Sequence, residues 1–189
     1  NEKKAKDVVD EIQKKGGEAI SIKADVANLL QVKSMVKKAV EQWGRIDVLI
    51  NNAGVLNAGY ILDLTYEKID ETINVNVRGV IYVTKEVIPH MIKKSDGVIV
   101  NIASGAGKKG HADYSVYSAS KFAVLGFTQG VARDVAKHNI RVYAVCPGRV
   151  ATDMTGFDGM LVHKVAKRII DCSKENLGLF PGQDTEIYS

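Results

Sequence analysis

Residues 97–110 read GVIVNIASGAGKKG, a strand-like run that ends in a serine and a glycine-rich loop. From Gly97 to Ala103 every residue but Asn101 is small or apolar, with no polar alternation. A strand with one wet face alternates, whereas one that is apolar throughout belongs to a sheet covered on both faces, the habit of parallel sheets. The letters at 105–110 also spell G-x-G-x-x-G. That pattern cradles a pyrophosphate only where a strand precedes it and a helix opens at its third glycine, so its neighbours decide what it means.

Upstream, residues 2–15 carry Ala5, Val8, Val9 and Ile12 on one helical face, and Gly16-Gly17 ends the pattern. AISIKADV (19–26) is rich in Ile and Val and is expected to be a strand. Asn28 can cap a helix from Leu29 to Trp43, whose apolar residues step by three and four up to Gly44. A short strand follows in IDVLINNAG (46–54), then a long helical pattern over 66–94, which Pro89 is expected to kink or shorten. Downstream lie a helix at 115–138, a strand at 140–148, a helix at 161–175 and a short last strand at 185–189. This alternation predicts a single α/β domain over 1–189, a doubly wound, mostly parallel sheet with helices on both faces. Ligands of such sheets bind beyond the carboxyl ends of the strands, here Asp25-Val26, Asn51–Gly54, Ser104 and Pro147-Gly148.

Composition narrows the function classes. The chain has 189 residues, 46 % hydrophobic and 25 % charged, which is ordinary for a folded globular protein. The formal charge of +4 comes from scattered lysines, which argues against a nucleic-acid partner. No apolar run reaches the ~18 residues of a membrane span, so no membrane role is expected. Cys146 and Cys172 lack metal-ligand spacing and suit buried, reduced thiols in a cytoplasmic protein. The four histidines form no ligand cluster, and no metal is expected.

The chemistry gathers around YSASK (117–121). Tyr117 and Lys121 stand four apart on a predicted helix, so they share a face. A phenol titrates near ~10, and an adjacent ammonium lowers that value toward the range where a proton donor or acceptor works best. Ser104 lies thirteen residues before Tyr117 at a strand's carboxyl end, Asn76 lies in NVNVRG on the long helix, and NNAG closes the strand before it. Taken singly, each has a plain structural reading: a surface pair, a loop-capping serine, a buried amide, strand-tying asparagines.

Together with CPGRVAT (146–152), these motifs in this order resemble the short-chain dehydrogenase/reductase family over nearly all of residues 1–155. The resemblance implies a Rossmann-like fold and an oxidoreductase that moves a hydride between NAD or NADP, with NADP favoured, and a ketone or secondary alcohol. It implies Tyr117 as general acid/base, and Lys121 as the residue that lowers the tyrosine pKa and holds the nicotinamide ribose. Ser104 would orient the substrate oxygen, and Asn76 would hold a water in a proton relay. It implies cofactor contacts at Asp25 and Val26 beside the adenine, Asn52 and Ala53 under the adenosine ribose, and Val150 and Thr152 at the carboxamide. 3-Oxoacyl reductases and sugar or polyol dehydrogenases are the subclasses to test first, and a homodimer or homotetramer is implied, with Ala119, Ala123, Gly126 and Gly130 as a small-residue packing face.

The chain also departs from the family. The glycine-rich turn that should follow the first strand lies upstream of residue 1, so the sheet is expected to be incomplete at its N-terminus. About 35–40 residues would be missing by family analogy. The strand at 19–26 is then expected to lack a neighbour, and the strand at 46–51 to have one open side. The missing turn keeps one alternative open, a non-catalytic relative that binds a nucleotide or a partner; an epimerase or lyase of the extended branch fits the length and spacing less well. GAGKKG does not replace the turn: HADY separates Gly110 from the helix near Ser115, and the only candidate acid, Asp134, sits on that helix. The loop is expected to be a flexible wall of the substrate pocket.

Overall fold

The computed structural model describes residues 2–187. Helix α1 (Glu2–Lys14) buries none of its side chains. The expected strand at 19–26 is not one: residues 17–25 form no ladder. A strand is made by its neighbour's backbone groups, and Ile20–Lys23 instead border an open groove with Lys38, Glu41 and Gln42. Helix α2 (Leu29–Trp43) begins as the sequence indicates, with Asn28 Oδ1 accepting from the amides of Leu30 and Gln31 at 3.0 and 3.2 Å.

Four parallel strands form the sheet in the order β1 (Val48–Asn51), β2 (Gly97–Ile102), β3 (Ile140–Pro147), β4 (Asp184–Ile187). The other edge of β1 pairs with nothing among the described residues, as expected. β4 covers the first part of the predicted last strand, whose Tyr188 and Ser189 lie outside the described residues.

The long helical pattern at 66–94 is three pieces. Helix α3 (Tyr66–Ile73) passes into a π-helical turn at Asn74–Gly79 and then into α4 (Val80–Lys94). Pro89 does not end the helix, which runs through it to Lys94. The break comes earlier, at the π turn, a feature that favours functional sites.

Helix α5 (Ser115–Val135) packs on β3, and α6 (Val162–Ser173) contacts β2 and β3. The pleat sends alternate residues to opposite layers. Ile99 and Val142 join Val32, Val83, Val87, Met91 and Val131 from α2, α4 and α5. Val98, Val100, Tyr143 and Val145 join Cys172 of α6 and, at its margin, Ile169. Helices therefore cover both faces, which is why β2 and β3 are apolar at nearly every position. A buried polar row crosses the sheet. The Asn51 amide donates to Thr84 Oγ1 and Asn101 Oδ1 at 2.9 and 2.8 Å, and Asn101 donates to Thr128 Oγ1 at 2.9 Å.

Candidate active site

A cleft of about 990 Å³ opens at the carboxyl ends of β1, β2 and β3. Its lining includes Asn52–Val55 after β1, Ser104 after β2, Tyr117 and Lys121 of α5, Pro147 at the end of β3, and Gly148 and Val150–Met154 after it. The loop ends sit together because parallel strands all finish on one side. Of the residues singled out in the sequence, Ser104, Tyr117, Lys121, Asn52, Ala53, Val150 and Thr152 meet in this one cleft.

Three others do not line it. Asp25 turns its carboxylate onto its own chain, accepting from the Ala27 amide at 2.9 Å. Val26 lies against Gly79. Asn76 is fully buried in the π turn, and its amide is already engaged. Its Oδ1 accepts from the Val55 amide at 2.8 Å, and its Nδ2 donates to the Val55 carbonyl at 2.9 Å and Ser120 Oγ at 3.1 Å. The side chain of Asn76, the residue expected to hold a relay water, grips the loop after NNAG. Ser120, which sequence reasoning missed, is also fully buried and donates to the Tyr117 carbonyl at 2.6 Å. A hydrogen-bonded chain thus runs from the Val55 backbone through Asn76 and Ser120 to the backbone of Tyr117. The only sequence signal for Ser120 was its place inside YSASK.

Lys121 is 6 % exposed and donates from Nζ to the Ile102 carbonyl at 2.9 Å. Burial lowers its pKa to about 8. Its Nζ lies 5.7 Å from the Tyr117 ring centroid. The sequence reading had this ammonium lowering the tyrosine pKa. In the structure the Tyr117 pKa is raised: desolvation is the largest cause, and the Ser104 hydroxyl opposes it. Lys121 spends a donor on Ile102 and sits over the ring, which leaves burial dominant.

Ser104 also does the structural work of a cap. Its Oγ accepts from the Ala106 amide at 3.2 Å and starts a 3₁₀ turn over Gly105–Gly107. The expected flexible wall is therefore wrong in two respects. None of residues 105–110 lines the cleft, and the turn is packed. Gly107 is buried, and a Cβ there would come within 2.8 Å of the Lys121 carbonyl oxygen. NNAG divides its labour: Asn51 ties β1 to α4 and β2, while Asn52, Ala53 and Gly54 face the cleft.

Beyond Asp153 the cleft wall becomes apolar, with Met154, Phe157, Val162, Ile169 and Ile170. Cys146 and Cys172 are both buried free thiols, pushed up to about 12 and about 11 by desolvation. Among the described residues, no helix is long and apolar enough to cross a membrane.

Comparison with known proteins agrees with this geometry. A family model described as short chain dehydrogenase matches residues 1–159. The chain is similar to a 3-oxoacyl-[acyl-carrier-protein] reductase of Synechocystis sp., 43 % identical over 148 residues, 78 % of this chain and 60 % of that protein. It is also similar to one from Staphylococcus aureus, 37 % identical over 155 residues, 82 % of this chain and 63 % of that protein. The chain thus spans a little over half the length of these curated relatives. Among solved structures, an NAD+-bound xylitol dehydrogenase superposes at a TM-score of 0.91 with 27 % identity, covering 99 % of this chain and 85 % of that one. A gluconate 5-dehydrogenase from Burkholderia cenocepacia, in complex with NADP and tartrate, superposes at 0.91 with 25 % identity, covering 100 % and 81 %. The ordered motifs, the parallel sheet and the family match agree: this chain belongs to the short-chain dehydrogenase family.

Proposed function

We propose that this chain is the catalytic part of an NAD(P)-dependent oxidoreductase that reduces a ketone carried on an apolar arm, of the 3-oxoacyl type. The observation that carries the reading is the convergence of Ser104, Tyr117 and Lys121 on one cleft whose outer wall is apolar. The residues present suit a nicotinamide nucleotide. A Cβ on Gly54 would come within 3.3 Å of Asn76 Oδ1 and 3.7 Å of Lys121 Nζ, so the glycine keeps a cradle open beside the ammonium. Asn52 and Ala53 would lie along the adenosine ribose, Lys121 would hold the nicotinamide ribose hydroxyls, and Val150 and Thr152 would meet the carboxamide. Asp25 and Val26 would mark the adenine end, outside the cleft itself. When bound, the nicotinamide supplies the hydride.

The chain's own groups then handle the oxygen. Ser104 donates a hydrogen bond to the carbonyl, which orients it and stabilises the charge that develops there. Tyr117 gives its phenolic proton to the same oxygen. Its raised pKa keeps that proton in place at neutral pH. The phenolate left behind lies near the Lys121 ammonium. Asn76 and Ser120 hold the Val55 loop and the Tyr117 backbone in register.

Met154, Phe157, Val162 and Ile169 favour an acyl or alkyl arm over a polyol, which needs hydrogen-bond partners along its length. The reading includes a homodimer or homotetramer, because Ala119, Phe122, Ala123, Gly126 and Gly130 leave one face of α5 exposed. It includes the cytoplasm, where buried unpaired thiols persist.

The test follows the reduced-nicotinamide absorbance with full-length protein and a 3-oxoacyl thioester, against a panel of sugars and polyols. Turnover of the thioester is expected, with Tyr117→Phe lowering kcat by about 10²–10⁴ while cofactor affinity stays within about twofold. Preference for a polyol would move the reading to the sugar subclass. No turnover of any carbonyl or alcohol would favour a binding module.

A further inference from the structure

The geometry points to Lys108 as a positioning residue for Ser104, acting by tying the turn after Ser104 to strand β4; this rests on the catalytic reading above. Lys108 closes the GAGKKG turn, with its amide donating to the Gly105 carbonyl at 3.0 Å. Its side chain reaches across to the last strand. There Nζ lies 2.6 Å from Asp184 Oδ2 and 2.5 Å from Glu186 Oε1. Asp184 also accepts from Cys146 Sγ at 3.6 Å. Lys108, Asp184 and Glu186 are each no more than 34 % exposed, so the clasp is partly shielded from water. Both carboxylates raise the lysine pKa, which keeps the clasp charged across the working range.

The turn is gripped from the other side as well. Gly107 sits on the backbone of Lys121, close enough to exclude a Cβ. Ser104 receives the Ala106 amide on Oγ and the Gly107 amide on its carbonyl, at 3.2 and 2.9 Å. The turn is therefore a strut between β4 and α5, with Ser104 at its head. β4 braces the opposite wall through its alternate face, where Thr185 Oγ1 and Arg168 Nη1 of α6 are 2.7 Å apart. The Ile187 carbonyl accepts from the Gly148 amide at 2.9 Å, next to the Val150–Thr152 segment. The period of two in β4 thus sends Asp184 and Glu186 to the Ser104 side and Thr185 to the α6 side.

A double-mutant cycle on the full-length enzyme tests this. Lys108→Met is expected to lower kcat about five- to tenfold with cofactor KM within about twofold, and Lys108→Arg to keep more than half the rate. If Lys108 acts through Ser104, Ser104→Ala/Lys108→Met is no slower than Ser104→Ala alone. Hydrogen exchange at the Ala106 and Gly107 amides reads the same strut without any substrate, and faster exchange is expected in Lys108→Met. If Lys108→Met does not fold, Asp184→Asn/Glu186→Gln releases the clasp from its other end and takes its place in the cycle. A kcat within twofold of wild type, an additive double mutant, or unchanged exchange would each overturn the role. A wild-type protein that turns over no carbonyl would defeat the catalytic reading, and the exchange measurement would still decide the clasp.

Discussion

Lys121 is the residue where function and stability oppose one another. Its folded pKa of about 8 lies below its ordinary value of 10.5. The unfolded chain therefore binds more protons between those values, and this lysine's contribution to stability rises with pH across that window. Below pH 8 the full cost of burying the ammonium is present. Lys121→Met is thus expected to raise the melting temperature at pH 7 by about 2–6 °C, while removing turnover, and the gain should shrink by pH 10. A melting temperature at pH 7 that is unchanged or lower would show that the Ile102 hydrogen bond outweighs the desolvation. Active-site residues commonly stand in this relation to stability.

Elements place these residues by close approach. The turn at Gly105–Gly107 meets α5 where Gly107 has no room for a methyl group. Gly107→Ala must push against the Lys121 backbone rather than a flexible side-chain tip. It is expected to cost about 1–3 kcal/mol, read as a lower denaturation midpoint with reduced kcat. Gly126 gives the contrast: it lies in α5 with open space around its Cβ position, so the same substitution there strains nothing within the chain. Wild-type stability in Gly107→Ala would mean that α5 can move away from the turn. The π turn at Asn74–Gly79 is the other such device, because it holds Asn76 where both amide atoms meet the Val55 backbone.

The whole molecule is tied at the end of the sheet opposite the cleft by a ladder of charges. Arg45 donates to Asp47, and Asp47 also pairs with Lys94. Arg141 lies 2.5 Å from Asp96 and 3.0 Å from Glu175. Tyr143 donates to Glu175 at 2.7 Å. The ladder joins the starts of β1, β2 and β3 to the segment after α6. Hydrogen bonds from Arg45 and then Lys94 hold the Asp47 pKa down to about 2; Arg141 lowers those of Asp96 and Glu175. Depressed carboxylate pKa values contribute stability that is present above the unfolded values near ~4 and lost as pH falls through the folded ones. The melting temperature is expected to drop between about pH 5 and pH 2, with a shallower drop in Arg141→Met. These side chains are partly exposed, so the difference between wild type and variant should narrow in high salt. Parallel acid titrations of the two proteins would refute the ladder's contribution.

The sequence by itself determined what is local. Asn28 bounds α2 through its side-chain cap and Gly44 through its left-handed backbone, the apolar run at 97–103 declared a strand covered on both faces, and the spacing of Tyr117 and Lys121 put them on one turn of one helix. Ser104, Tyr117 and Lys121 were legible together because a strand end and the following helix can meet only at the carboxyl edge of the sheet. What only the tertiary structure decided depends on partners far away in the chain. Residues 19–26 have strand composition but pair with nothing among the described residues. Asn76 and Val55 stand twenty-one residues apart, and their bond is made by the π turn, which no periodicity announces. The tyrosine pKa goes up because burial, a property of the whole packing, outweighs the hydrogen bond from Ser104. GAGKKG carries the same lesson: its letters suggest a phosphate turn, yet Gly107 serves contact with α5 and Lys108 reaches a strand seventy-six residues further along, because side-chain reach follows the fold and not the order of the chain.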